Sequence, residues 1–173
     1  MRRVVSQLDG EQLYQKAVRL LGARGRSEAE LRRNLGRRAQ GPEALEAALA
    51  RLREHGYVDD ARLAAGFALY QKDVARHGRA RTLRDLRARG IAAEVAEAAV
   101  RTGYAGTSED ALLRAHLKAK RVHPPADLRQ AASLCRKLLR AGFSPAACQR
   151  ALRTWKLDPE WLEELANEAE EQE

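Results

Sequence analysis

Arg87-Ala88-Arg89-Gly90 is the stretch whose reading decides the fold, because it has an echo on either side. Arg38-Ala39-Gln40-Gly41 stands 49 residues before it and Leu139-Arg140-Ala141-Gly142 stands 52 residues after it. Each glycine falls where a helix should stop in the left-handed conformation. A short helix with small and apolar residues at matching places follows each one. Leu45, Ala48, Leu49 and Leu52 mark the first, Val95, Ala98, Ala99 and Thr102 the second, and Cys148, Ala151, Leu152 and Trp155 the third. A period of this length suits a three-helix unit, and stacked units gain stability from shared interfaces.

Apolar periodicity drafts the helices outward from these stops. They are Glu11–Leu21, Ser27–Arg38, Pro42–His55, Asp60–Arg76, Ala80–Arg89, Ala92–Arg101, Ser108–Arg121, Pro125–Arg140 and Ser144–Trp155. Ser27 with Glu30 forms a capping box, Ser108 and Ser144 are N-caps, and Pro42 and Pro145 fit first turns. The fourth helix is expected to bury Leu63, Phe67 and Tyr70 or Val74. Gly56 stops one helix, Asp59 or Asp60 caps the next, and Tyr57 wedges the units together. The expected architecture is all-α: three tandem three-helix repeats, residues 1–58, 59–105 and 106–157, forming an elongated, curved helical-repeat protein. Residues 158–173 follow as an acidic tail, in which Pro159–Ala169 reads as an amphipathic helix.

Composition agrees. Of 173 residues 45% are hydrophobic, but only 5% are aromatic and 32% are charged. Good helix formers dominate, and the residues that sheets favour are scarce. The 26 arginines far outnumber the 6 lysines, a skew that genome composition alone can produce. The net charge of +8 nevertheless favours nucleic acid or an acidic protein surface as partner. It is unevenly placed: residues 1–157 hold 32 basic and 16 acidic residues, and the tail holds eight acidic residues and no basic one. The low aromatic share argues against base-stacking platforms and for backbone or protein-surface contact.

Several classes are excluded by what is missing. There is no Walker A loop, G-x-G-x-x-G, H-E-x-x-H or G-x-S-x-G. The four histidines lack Cys or carboxylate partners at metal-ligand spacing. Neither an enzyme nor a cofactor or metal protein is expected. Cys135 and Cys148 read as buried cytosolic thiols, with a redox pair between neighbouring helices as the rival reading. The longest apolar run, Leu63 to Tyr70, is far too short to span a membrane, and the start carries no secretory pattern. A cytoplasmic monomer is expected.

The candidate binding residues are basic. Arg76, Arg79, Arg81, Arg84 and Arg87 form the first cluster, in which Arg81, Arg84 and Arg87 recur at i+3 on one helix face. Guanidinium groups grip phosphate or carboxylate bidentately, so such a row suits DNA or an acidic groove. Lys118, Lys120 and Arg121, with Arg129, Arg136, Lys137 and Arg140, form a second cluster. A weaker third is Arg32, Arg33, Arg37 and Arg38.

Three stretches resemble the RecX family. They are Arg26-Ser27-Glu28-Ala29-Glu30-Leu31, Gly56-Tyr57-Val58-Asp59-Asp60-x-Arg62 and Arg76-x-Gly78-x-x-Arg81-x-Leu83-x-x-Leu86-x-x-x-Gly90-Ile91. The motifs run from about Leu13 to Ile91, while the third repeat matches by pattern alone. The resemblance implies a negative regulator of RecA recombinase. Such proteins bind the RecA–DNA filament, and single- and double-stranded DNA, and inhibit ATP hydrolysis, strand exchange and coprotease activity. It adds Arg26 to the candidate partner contacts. Two readings compete: a stand-alone helix-turn-helix-like DNA-binding regulator, and a helical-repeat scaffold without a nucleic-acid role.

Overall fold

The computed structural model describes residues 7–155 together with 160 and 161. The acidic tail and its amphipathic segment therefore lie outside the described residues, except for Glu160 and Trp161. The described residues form nine α-helices and no strand beyond one isolated bridge between Leu8 and Ala39. The fold is an all-α helical repeat. None of the described helices is long and apolar enough to cross a membrane.

The helices are α1 (Gly10–Ala23), α2 (Glu28–Gly36), α3 (Pro42–Glu54), α4 (Asp60–Asp73), α5 (Arg79–Ala88), α6 (Ala93–Gly103), α7 (Glu109–Ala119), α8 (Leu128–Arg140) and α9 (Pro145–Arg153). They group into two compact units, Met1–Gly66 with Leu86–Ala99, and Phe67–Asp85 with Val100–Glu173. The helices of the middle triplet, α4, α5 and α6, thus each contribute residues to both units.

In the first unit α1 packs along α3, and α2 closes the bundle. Leu13, Ala17, Leu31, Leu35, Leu49 and Leu52 are fully buried. The Ser27 capping box is present, and it holds more than its own helix. The Ser27 hydroxyl accepts from Glu30 N–H (3.0 Å) and donates to the Arg89 carbonyl (2.6 Å). The Arg89 guanidinium returns to the Glu30 carboxylate at 2.9 Å and to the Gly25 carbonyl at 2.9 Å. Burial pushes Glu30 upward, but Arg89 and the Ser27 amide outweigh it and hold the carboxyl below its ordinary range. Asp59 caps α4 through Arg62 N–H, while Asp60 accepts from Glu28 N–H and so caps α2 instead. Tyr57 does not act as a buried wedge. It is 47% exposed and sets its ring edge-on to Tyr14 and His55.

Two of the three glycine stops behave as the sequence predicts. Gly90 (φ +81) and Gly142 (φ +92) lie in the left-handed region, and each closes a Schellman motif. At Gly142 the paired bonds run from Gly142 N–H to Leu139 O and from Phe143 N–H to Leu138 O. Gly41 differs: its backbone is extended, and it serves as the N-cap of α3. Helix α2 stops early because Arg38 O and Gln40 N–H are bonded to Leu8, which draws the chain into an extended path.

The second unit packs α7 and α8 on α9 over Leu113, Ala131, Leu138, Ala147 and Leu152. Cys135 and Cys148 are both buried. The Cys148 thiol is pushed up by Cys135 beside it and by burial, which keeps it protonated and unreactive. Two other places depart from the expected phase. Helix α4 buries Ala64, Ala68 and Gln71, and leaves Tyr70 (56%) and Val74 (62%) exposed. The small side chain of Ala68 admits the close approach of Gly103, and Gln71 turns inward to bond Asp85 and His77. On α6 the buried positions are Ala96, Val100 and Gly103, with Tyr104 just past its end, so Thr102 is exposed.

The tightest contact in the second unit is backbone against backbone. Gly78 N–H donates to Ala141 O at 2.8 Å and Ala80 N–H donates to Gly142 O at 3.3 Å. Two of the free amides at the start of α5 are therefore satisfied by the end of α8, and the meeting of a positive helix N-terminus with a negative C-terminus favours the pairing. A Cβ at Gly78 would overlap the Gly142 carbonyl, and one at Gly142 would overlap the backbone of Arg81. Gly142→Ala should cost more than about 3 kcal/mol in urea denaturation, since it adds a left-handed penalty to a clash. Gly66→Ala on exposed α4, with nothing within 4 Å, should instead gain about 0.5–1 kcal/mol. Equal effects at the two glycines would refute the crossing.

Candidate nucleic-acid interface

The predicted basic residues separate by what their side chains already hold. Arg79 donates to Tyr104 O at 3.0 Å and lies over the Tyr104 ring. Tyr104 is almost wholly buried. Its hydroxyl donates to the His77 carbonyl (2.8 Å) and takes a bond from Thr82 (2.7 Å). Arg84 donates to Arg140 O at 2.8 Å, which reinforces the docked end of α8. Arg76 donates to Ala115 O, and Arg26 donates to Leu20 O. Arg87 pairs with Glu97, and Arg81 reaches Asp85 at 3.6 Å. Every member of the first cluster, and Arg26, therefore has a bond to this chain. In the third cluster Arg32 is paired with both Glu28 and Glu46, while Arg33, Arg37 and Arg38 are exposed with no ion pair among the described residues.

Most of the second cluster is different. Lys118, Lys120, Arg121, Arg129, Arg136, Lys137 and Arg140 are all exposed, at the end of α7 and along α8. None of Lys118, Lys120, Arg121, Arg129 and Lys137 has an ion pair among the described residues. Two of the predicted residues also have unusual backbones. Arg76 (φ 56) and Arg121 (φ 51) are the described non-glycine residues with positive φ. Both sit just past a helix end, where glycine would relieve the strain.

Between α7 and α8 the second unit has a cleft of about 480 Å³. Val122, Leu134, Leu138 and Ala141 supply apolar surface, and Arg81, Lys120 and Lys137 supply positive charge. His77 and His116 complete the lining. The sequence treated both histidines only as failed metal ligands, and no group of three potential ligands exists among the described residues. His116 had a readable signal, since it shares the α7 face of Leu112, Leu113 and Leu117. His77 had none, because its neighbours come from distant helices.

Hydrogen bonds define the state of both rings. Gln71 places its amide nitrogen at Asp85, so its oxygen faces His77 and must accept from Nδ1–H at 2.6 Å. His116 Nδ1–H likewise donates to Arg76 O at 2.8 Å. Each ring is left with Nε2 as the nitrogen that can take a further proton. Burial first, then the charges of Arg81, His116 and Lys120, push His77 down to about 4, against the opposing pull of Asp85. Burial also lowers His116, despite its bond to Arg76. Unfolded histidine protonates near its ordinary 6.5, whereas folded His77 resists to about 4. The unfolded state therefore binds more protons, and stability falls as pH drops from 6.5 toward 4. The urea midpoint should decline across that window, and His77→Gln should lessen the decline. An unchanged decline in a folded His77→Gln protein would show that His77 is not its source.

Comparison with known proteins places this architecture. Residues 14–52 match the family model described as RecX, first three-helix domain. The regulatory protein RecX of Leptothrix cholodnii is 33% identical over 138 residues, covering 80% of this chain and 85% of that one. The regulatory protein RecX of Escherichia coli is 37% identical over 99 residues, covering 51% of this chain and 59% of that one. A crystal structure of regulatory protein RecX superimposes with a TM-score of 0.68 at 20% identity, covering 80% of this chain and 70% of its own. That of RecX from Lactobacillus salivarius gives 0.56 at 15% identity, covering 94% and 97%. These two structures show the shared fold. With the sequence relatives they lead to one conclusion: the chain belongs to the RecX family of regulatory proteins.

Proposed function

We propose that this protein is a negative regulator of RecA recombinase, binding the RecA–DNA filament and DNA in the cytoplasm as a monomer. In this reading it is not an enzyme; it suppresses RecA ATP hydrolysis, strand exchange and coprotease activity by occupying the filament. The observation that carries the reading is family membership. The organisation that goes with it is three helix triplets, residues 1–58, 59–105 and 106–157, with the acidic segment 158–173 after them.

The exposed cations at the end of α7 and along α8 support a phosphate-binding role for Lys118, Lys120, Arg121, Arg129 and Arg136. Positive φ at Arg121 supports it independently, since strained backbone tends to be retained where function needs the side chain. Arg26, Arg76, Arg79, Arg81, Arg84 and Arg87 are second-rank contacts. A phosphate or an acidic protein surface has to compete there with the backbone carbonyls and carboxylates they already hold.

RecA on single-stranded DNA, mixed with stoichiometric protein, should lose most of its ATP hydrolysis; an unaltered rate would overturn the reading. Binding to single-stranded DNA should weaken with salt, by a logarithmic slope of about −0.7 per phosphate contact. A flat salt dependence would favour the scaffold. Arg121→Gly should separate stability from function. It relieves left-handed strain and gains up to about 1 kcal/mol in urea denaturation, while reducing DNA affinity and the salt slope by about one contact.

A further inference from the structure

The cleft between α7 and α8 combines features that a simple phosphate-binding surface does not need. Its volume of about 480 Å³ lies in the range of small-molecule pockets and exceeds what an inorganic anion fills. Arg81 from α5, Lys120 from α7 and Lys137 from α8 converge on it, with Asp85 beside Arg81 as the opposing charge. Val122, Leu134 and Leu138 line the same space, an apolar surface with no use in gripping phosphate. Two imidazole rings line the same space, 5.9 Å apart between centroids.

We propose that this cleft binds one unstacked nucleotide of a single strand, its phosphate held by Arg81, Lys120 and Lys137 and its base lodged against the histidine rings and the Leu134–Leu138 surface. The inference deepens the DNA-binding part of the function proposed above and rests on it. A base within a duplex is stacked and paired and cannot enter a cleft, whereas a base of a single strand can be splayed out against rings and apolar side chains. The cleft therefore favours single strands, while the exposed cations outside it serve either form of DNA. It also qualifies the expectation, drawn from the low aromatic content, that bases are not contacted. Imidazole and leucine supply here what phenylalanine or tryptophan supplies elsewhere.

The groups facing His77 are Gln71 from α4, Arg81 and Asp85 from α5, His116 and Lys120 from α7, and the hydroxyl of Tyr104 on its own carbonyl. In the empty cleft the cations oppose protonation of the ring. A bound phosphate offsets their field and favours the imidazolium, so binding takes up a proton and tightens as pH falls toward the value of about 4 at which the ligand-free His77 ring protonates.

The test follows the His77 and His116 side-chain resonances by NMR during titration with thymidine monophosphate, inorganic phosphate, a short oligothymidylate and a short duplex. Both rings should shift with the monophosphate and the oligothymidylate, the monophosphate binding about tenfold more tightly than inorganic phosphate. The duplex should bind without moving them. Lys137→Glu, at an exposed position, should weaken oligothymidylate binding about tenfold and duplex binding much less. Oligothymidylate binding with unmoved rings would overturn the cleft and leave the DNA reading intact. Monophosphate binding no tighter than inorganic phosphate would reduce the cleft to an anion site and also overturn the proposal. If neither DNA form binds, the DNA reading falls and the cleft proposal, which rests on it, falls too.

Discussion

The crossing of Gly78 and Gly142 governs how the second unit can be built. The start of α5 and the end of α8 meet without any side chain between them, so each terminus uses the other to satisfy its free backbone groups. Three consequences follow along the chain. His77, one residue before the crossing, is brought to the cleft lined by α7. Arg81, one turn after Gly78, and Lys137, one turn before Ala141, line the same cleft. Arg84, another turn on, caps a carbonyl of α8. The cationic side of the cleft is thus set by a backbone contact, with no salt bridge required to hold its halves together.

The positive charge of this protein is less available than its total suggests. In the first unit Arg32, Arg51, Arg53, Arg87 and Arg89 all lie on carboxylates. Most of these pairs are at the surface and worth little to stability, but each lowers the field a phosphate would meet. The Arg89–Glu30 pair is the exception, with both side chains largely covered. On α7 and α8 of the second unit, Lys118, Lys120, Arg121, Arg129 and Lys137 have no such partners among the described residues. Arg33, Arg37 and Arg38 around the end of α2 are likewise exposed with no ion pair among the described residues, so the field a phosphate would meet survives at these two places.

What could be read in the sequence was what short range decides. Ser27 with Glu30, Ser108, Ser144, Pro145, Gly90 and Gly142 are caps and stops whose chemistry lies within a few residues, and they fall where the spacing put them. Gly41 failed because its conformation depends on Leu8, more than thirty residues away. Tyr70 and Val74 failed because a small residue, Ala68, and a polar one, Gln71, won the inward face of α4 over larger apolar neighbours. For the candidate site, the basic residues of α7 and α8 were legible as a cluster, and the cleft was not. It needs Gly78 beside Gly142, Tyr104 under His77 and Gln71 on Asp85, and each of those pairs joins separate helices.

The clamp formed by Ser27, Glu30 and Arg89 carries one more implication. Ser27 and Glu30 belong to a stretch that makes the chain recognisable, and here a hydroxyl, a carboxylate and the Arg89 guanidinium are bonded to one another and to backbone carbonyls. These two motif residues therefore work inside the fold, whereas Tyr57, from another of the same stretches, is left exposed. Exposed side chains can change while such a clamp stays whole. Two proteins can share the clamp and differ in every side chain that a partner would touch.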